Sequence, residues 1–426
     1  YHPCGQHTGE WFYYRSWEPR LSDFSPAMDR GFAAWLQTEY PTEADLRAAW
    51  NDPGITFATT HFPTAEQQLH TDIGFFRDPA TEQQTIDAFR YKQVAMVEPL
   101  QMMSHVIKRE TAGRKLVCLF YGYTFDMHGI PLGPQNSGHL AMGQLIRDPN
   151  VDIICSPISY LDRELGGAGC FMAAVDSVRA HGKLWLNEDD TRTWLTPKDS
   201  GYGRVDTIAG TLQVHRRNFA QIWPRRLACW YMDLGNAGWL NGKEIWDNIA
   251  PLQRYYQDHA AEAESWNPDI AVIVDEQAPF YTKCSRDLHA PLVYQMRSQF
   301  FRLGTPFAIY LLSDLVAGNV PPMKAYLFTN CFRLDAAQRR AVNEVTQGRT
   351  AVWFYGGGFI SAQASDAGMV ETTGIQVARG ESQTGTLNPT PEAGAWIDGV
   401  SAPFGTDATL DPLWVVTDPE AQALAT

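Results

Sequence analysis

The stretch Lys183-Leu184-Trp185-Leu186-Asn187-Glu188-Asp189-Asp190-Thr191-Arg192-Thr193-Trp194 decides the reading of the fold. A short apolar run of strand length gives way at once to three carboxylates and an arginine. The same change recurs along the chain. Leu116 to Tyr121 opens into YGYTFDMHG, Val151 to Cys155 into SPISYLDRELGGAG, and Leu227 to Met232 into DLGNAGWLNG. Between these runs lie longer amphipathic segments, Asn136 to Arg147, Cys170 to His181, Ile208 to Ile222 and Glu244 to Glu262, each of which reads as a helix. Upstream, residues 82 to 110 space Ile86, Phe89, Val94, Val97, Leu100 and Met103 as one long helix would. Strands that alternate with crossover helices predict a parallel sheet. Polar, aromatic loops after every strand fit a (β/α)8-type barrel, whose active site is built from those loops, better than a doubly wound sheet.

The pattern changes near Trp266-Asn267-Pro268-Asp269. Ile270 to Val274, Phe307 to Leu312, Ala325 to Phe328 and Thr350 to Tyr355 read as strands, with helices at about 290 to 302 and 335 to 347. These predict a flavodoxin-like α/β layer of parallel strands. The division is then 1–265 for the barrel, 266–385 for the flavodoxin-like domain and 386–426 for a β-rich tail.

Composition narrows the function classes. A chain of 426 residues, 44% hydrophobic and 12% aromatic, has ample material for a large core. Its 34 basic and 48 acidic residues give a net charge of −14, and with no basic patch this argues against nucleic acid as a partner. No apolar run has the length of a membrane span. The seven cysteines are scattered and odd in number, so they do not read as a disulfide framework, and reduced thiols lean towards the cytoplasm. His2, Cys4 and His7 lack the spacing of a zinc site, so no metal is expected.

Glu188 ends a buried-looking strand, and Glu10 sits in an aromatic loop, HTGEWFYY. Two carboxylates at one barrel mouth suit retaining glycoside hydrolysis, in which one is the nucleophile and the other the acid/base. That chemistry needs no cofactor. Arg192 is placed to keep the nucleophile ionised, and Trp11 to raise the acid by desolvation. The plain alternative is that both glutamates are ordinary exposed loop carboxylates. Tyr121, Tyr123, His128, His139, Tyr160, Asp189 and Trp239 also lie at strand ends. As substrate-site lining the reading favours Trp11, Tyr123, Arg163, Asp190, Arg192, Trp230 and Asp233. The bland reading for these is support: Asp190 and Arg192 pair with each other, Trp230 is core, and Asn136 caps a helix.

The glutamate loop is followed by Ser25-Pro26, then FAAWLQTEYPTEADLRAAWND (Phe32 to Asp52), the helix 82–110, the second strand-end glutamate, and VIVDEQ opening the second domain. Together these resemble the glycoside hydrolase family 42 β-galactosidases, over most of residues 5 to 380. The resemblance implies Glu10 as acid/base at the end of barrel strand four, Glu188 as nucleophile at the end of strand seven, and a homotrimer. Two departures stand out: Gly9 precedes Glu10 where the wider clan has Asn, and the zinc-binding cysteine cluster of some members is missing. If Glu10 ends strand four, strands one to three are absent, and five barrel strands remain, at 3–9, 116–121, 151–155, 183–187 and 227–232. The expectation is an internal fragment with an incomplete barrel, exposed sheet edges and a true N-terminus upstream.

Two other functions compete. A non-catalytic carbohydrate-binding or assembly protein on the same scaffold would bind sugar without turnover. An amidotransferase-like hydrolase would use Cys331 as nucleophile and His289 as base, although Asn330 and Phe332 are large for a strained elbow. Gly356-Gly357-Gly358 lacks the residues of a phosphate loop and reads as a tight turn.

Overall fold

The computed structural model describes residues 1–260, 266–395 and 402–426. Aliphatic and β-branched runs form its strands. β1 (Cys118–Phe120), β2 (Ile153–Pro157), β3 (Leu184–Asp189) and β4 (Ala228–Tyr231) make a parallel sheet in that order. The register sets Leu119 beside Ile154, Cys155 beside Leu186 and Glu188 beside Trp230.

Helices α1 (Pro26–Glu39), α2 (Glu43–Trp50), α3 (Ala65–Leu69) and α4 (Pro79–Glu110) precede this sheet. Their starts are capped as the sequence requires: Ser25 accepts from Met28 N, Thr42 and Asp45 form a capping box, and Asp78 accepts from Ala80 N. Phe32, Trp35, Leu46, Trp50 and Ala88 hold α1, α2 and α4 together. Helices α5 (Thr124–Met127), α6 (Met142–Ile146), α7 (Val175–Ala180) and α8 (Ile208–Ile222) lie between the strands, and α9 (Lys243–Asp258) follows β4. The end of the helix expected over 244–262 lies partly outside the described residues.

The second sheet is also parallel. It contains β5 (Ile270–Val274), β6 (Phe307–Leu311), β7 (Ala325–Phe328) and β8 (Thr350–Trp353) in the order β6-β5-β7-β8. The chain then forms two antiparallel pairs, β9 (Val377–Gly380) with β12 (Leu413–Val416) and β10 (Gln383–Leu387) with β11 (Phe404–Leu410). One apolar core runs through both parallel sheets, joining Leu119, Ile154 and Trp185 to Val272, Val274 and Ile309. Polar contacts reinforce this junction. Asp176 and Ser177 of α7 accept from the N–H groups of Ile309 and Leu311, each at 2.8 Å.

Several expectations are corrected. Residues 3–9 form no strand; they make a tight loop closed by isolated bridges from Gly5 to Glu10 and from His7 to Phe12. Left-handed backbone at Gln6, Thr8 and Gly9 prevents extension. The barrel-type sheet therefore has four strands among the described residues and is not closed. The helix expected over 136–147 shrinks to α6, because the chain turns through Gly138 at φ 88°. Asn136 caps nothing; its amide donates to Leu132 O and its carbonyl accepts from Lys92. The helix expected from Cys170 begins only at Val175, and tail strands begin at Val377 rather than beyond 385.

Candidate active site

β3 carries Glu188 near its carboxyl end, where residues alternate between the two faces of the sheet. Glu10 arrives from the N-terminal loop. Tyr123, just past β1, donates its phenol to Glu10 Oε1 at 2.8 Å, and Thr8 donates to Oε2 at 3.0 Å. His139 fastens the same loop. Its Nε2 donates to Glu10 O at 2.9 Å while Nδ1 accepts from Tyr123 N, and Phe12 stacks on its ring at 4.2 Å. Burial pushes this imidazole down to about 3, so it is neutral and holds a single tautomer. The loop is strained, with Thr8 at φ 61° and Trp11 at φ 66°, and Gly9 at φ 81° supplies the turn that Asn would adopt less easily.

The two glutamates feel each other. Glu188 is pushed up to about 8, first by burial, then by the negative charges of Asp190 and Glu10; the charges of Arg163 and Arg192 oppose the rise. Glu10 is also raised, mainly by burial, against the stabilising bonds from Tyr123 and Thr8. No hydrogen bond reaches the Glu188 carboxyl among the described residues. Both arginines are committed to Asp190: Arg163 Nη2 pairs with Oδ1, and Arg192 Nη1 with Oδ2. Asp189 faces away and is taken by Thr191 and Asn218.

The other expected site residues divide. Trp11 is not a sugar-facing wall. It is buried in the main core with its indole N–H on Pro3 O, because the left-handed turn rotates the ring inward. Tyr123 is likewise buried, and its hydroxyl supports Glu10. Trp230, neighbour of Glu188 across the β3–β4 pair, is 38% exposed and is not core. Asp233 closes its own loop by accepting from the N–H groups of Ala237, Gly238 and Trp239. Sequence reasoning missed Thr8, whose signal is its place two residues before Glu10, and Tyr202, which lies with Trp239 against Arg192.

Among the described residues no three His, Cys, Asp or Glu side chains converge as metal ligands, and no helix is long and apolar enough to cross a membrane. Cys331 is buried with its thiol pushed well above the ordinary range, while His289 bonds Thr282 and packs on His128. Gly358 packs where any side chain would strike Thr372.

A parallel β/α sheet with acidic and aromatic groups at the carboxyl ends of its strands, joined to a second parallel sheet, is an open (β/α)-barrel-type architecture. The chain has the fold of the glycoside hydrolase family 42 β-galactosidases. Against the β-galactosidase of a Rahnella species it gives a TM-score of 0.62 at 13% identity, covering 99% of this chain and 62% of that one. Against the β-galactosidase of Bacillus circulans sp. alkalophilus the TM-score is 0.57 at 12% identity, with 96% and 61% covered. An exo-carrageenase of the same family from Bacteroides ovatus gives 0.50 at 11% identity, with 86% and 55% covered. The chain thus spans about three fifths of the solved structures it matches. No protein-family model and no curated protein matches the sequence.

Proposed function

We propose that this chain carries the catalytic carboxyl pair of a retaining glycoside hydrolase. The substrate is a β-linked galactoside or a related glycan, Glu188 is the nucleophile and Glu10 the acid/base. The observation that carries the reading is a buried strand-end glutamate, Glu188, on which the charge of Glu10 acts, while Tyr123 and Thr8 hold Glu10 in a strained loop. Carboxyls that oppose each other's ionisation release their protons in separate steps, so the pair passes through a singly protonated state. Retaining hydrolysis needs that state: one carboxylate attacks the anomeric carbon while one acid protonates the leaving oxygen.

In the free chain burial keeps the proton on Glu188. For Glu188 to attack, the proton passes to Glu10, and the charges of Arg163 and Arg192 act in that direction. The donors on Glu10 favour a second reading with the roles exchanged. One experiment separates the two. The chain is incubated with an activated 2-deoxy-2-fluoro-β-galactoside and the esterified peptide is identified by mass. A label on Glu188 supports the first reading, and one on Glu10 the second. Absence of both label and turnover on every β-galactoside tried would sink the proposal and leave a sugar-binding scaffold. A carbohydrate is then the partner, and the trimer implied by the resemblance is checked by light scattering.

A further inference from the structure

Asp190 receives a guanidinium on each of its oxygens, Arg163 on Oδ1 and Arg192 on Oδ2. All three side chains are almost completely buried, and they stand beside Glu188, whose carboxyl both arginine charges act on. Two cations share one carboxylate, and their donors are far from used up. Arg163 Nη1 is sealed in the protein with no partner. Arg192 makes hydrogen bonds through Nη1 alone, to the backbone and side chain of Asp190, and its other nitrogens are unpartnered among the described residues without being sealed from solvent.

Aromatic rings hold the Arg192 guanidinium in place. Its centre lies 4.9 Å from the Tyr202 ring, 4.7 Å from Trp239 and 5.9 Å from Tyr160. Tyr160 and Tyr202 are exposed, so the cation is bordered by ring faces open to solvent. A neutral sugar hydroxyl satisfies one donor of such a group. An oxyanion satisfies two at once, through the edge of Arg192 that Asp190 leaves open. Since the chain as a whole is strongly acidic, recognition of an anion has to come from a local arrangement of this kind.

We infer that Arg192, backed by Arg163, determines specificity for a saccharide bearing an anionic substituent, a sulfate ester or a sugar carboxylate, at the residue bound beside Glu188. This rests on the reading of the site as a saccharide site. The guanidinium edge takes two oxygens of the substituent, and Tyr160 and Tyr202, packed on each other with centroids 5.2 Å apart, border the sugar from one side.

The test is binding, measured by calorimetry on the purified chain, so that it does not depend on turnover. The probes are unmodified β-galactobiose, the same disaccharide sulfated at O-2, O-4 or O-6, and its galacturonic acid counterpart. At least one anionic probe is expected to bind about tenfold more tightly than the neutral parent, the effect of one strong charge-assisted contact. The sulfated and uronate arms tell the two sources apart. Arg192→Gln should abolish the preference. Arg192→Lys, which keeps the cation and its pairing with Asp190, should fold and retain part of it. Equal affinity for neutral and anionic probes, no binding of any probe, or a preference that survives Arg192→Gln would each overturn the inference. Turnover of the same sugars is scored separately: a preference without hydrolysis defeats the hydrolase proposal and leaves this one standing, whereas hydrolysis without a preference does the reverse.

Discussion

The phenol of Tyr123 is buried and makes one hydrogen bond, to Glu10. A donor on a carboxylate stabilises its charged form, so Tyr123→Phe should raise the Glu10 pKa by about one to two units, since such a bond is worth ~1.5–3 kcal/mol and a unit is ~1.4 kcal/mol. The ring remains and the fold should be kept. Carbon-13 titration of the glutamate carboxyls checks this without any turnover; an unmoved Glu10 would mean that the Tyr123 bond does not help to set its proton. At this scale the sequence was half legible. Glu188 could be picked out because strand ends are visible in the run LWLNED, whereas Trp11 and Tyr123 were read as facing sugar and face the protein. Left-handed residues at 8, 9 and 11 redirect each successive side chain, and no hydrophobic period reports that. The pairing of Asp190 with Arg192 is legible from spacing alone, but that of Asp190 with Arg163 joins two different loops.

Among the elements, the strands of the two parallel sheets and the long helices were readable, unlike the loop at 3–9, because apolar runs mark such strands and a buried stripe leaves a helical period. Short helices such as α6 were not, since one turn carries no period. What holds α6 is Glu276, which follows β5 and accepts from the N–H groups of Met142 and Gly143 at 2.8 and 2.9 Å. Burial raises this carboxyl to about 7. A carboxyl that is harder to ionise in the folded state stabilises the fold fully below its unfolded pKa of about 4.3, and that contribution is lost as pH rises towards 7. Glu276→Gln removes the titration and leaves one N–H poorly served, at a cost of about 1–3 kcal/mol. The stability gap between wild type and variant should therefore be largest in acid and narrow up to about pH 7. Paired thermal melts across that range test it; a gap that widens with pH would contradict the sign.

For the molecule as a whole, the change in pattern at Trp266 suggests two separable domains, yet the packing joins them. The main core takes strands from both parallel sheets, and Arg297, fully buried on the helix Met296–Phe300, reaches across to Asp126 at 2.5 Å, Ser159 Oγ at 2.6 Å and Phe171 O at 2.9 Å. Contacts between residues so far apart in the chain leave no mark in local sequence, which is why the junction was illegible while the elements on either side of it were not. Removing one partner of a buried ion pair strands the other charge, at about 3–5 kcal/mol. Arg297→Met should thus cost that much, and because Asp126 belongs to the first sheet's unit and Arg297 to the second's, the loss should lower one shared calorimetric transition. Two resolved transitions in the wild type, only one of which moves in the variant, would show that the sheets unfold independently and that the shared core does not couple them.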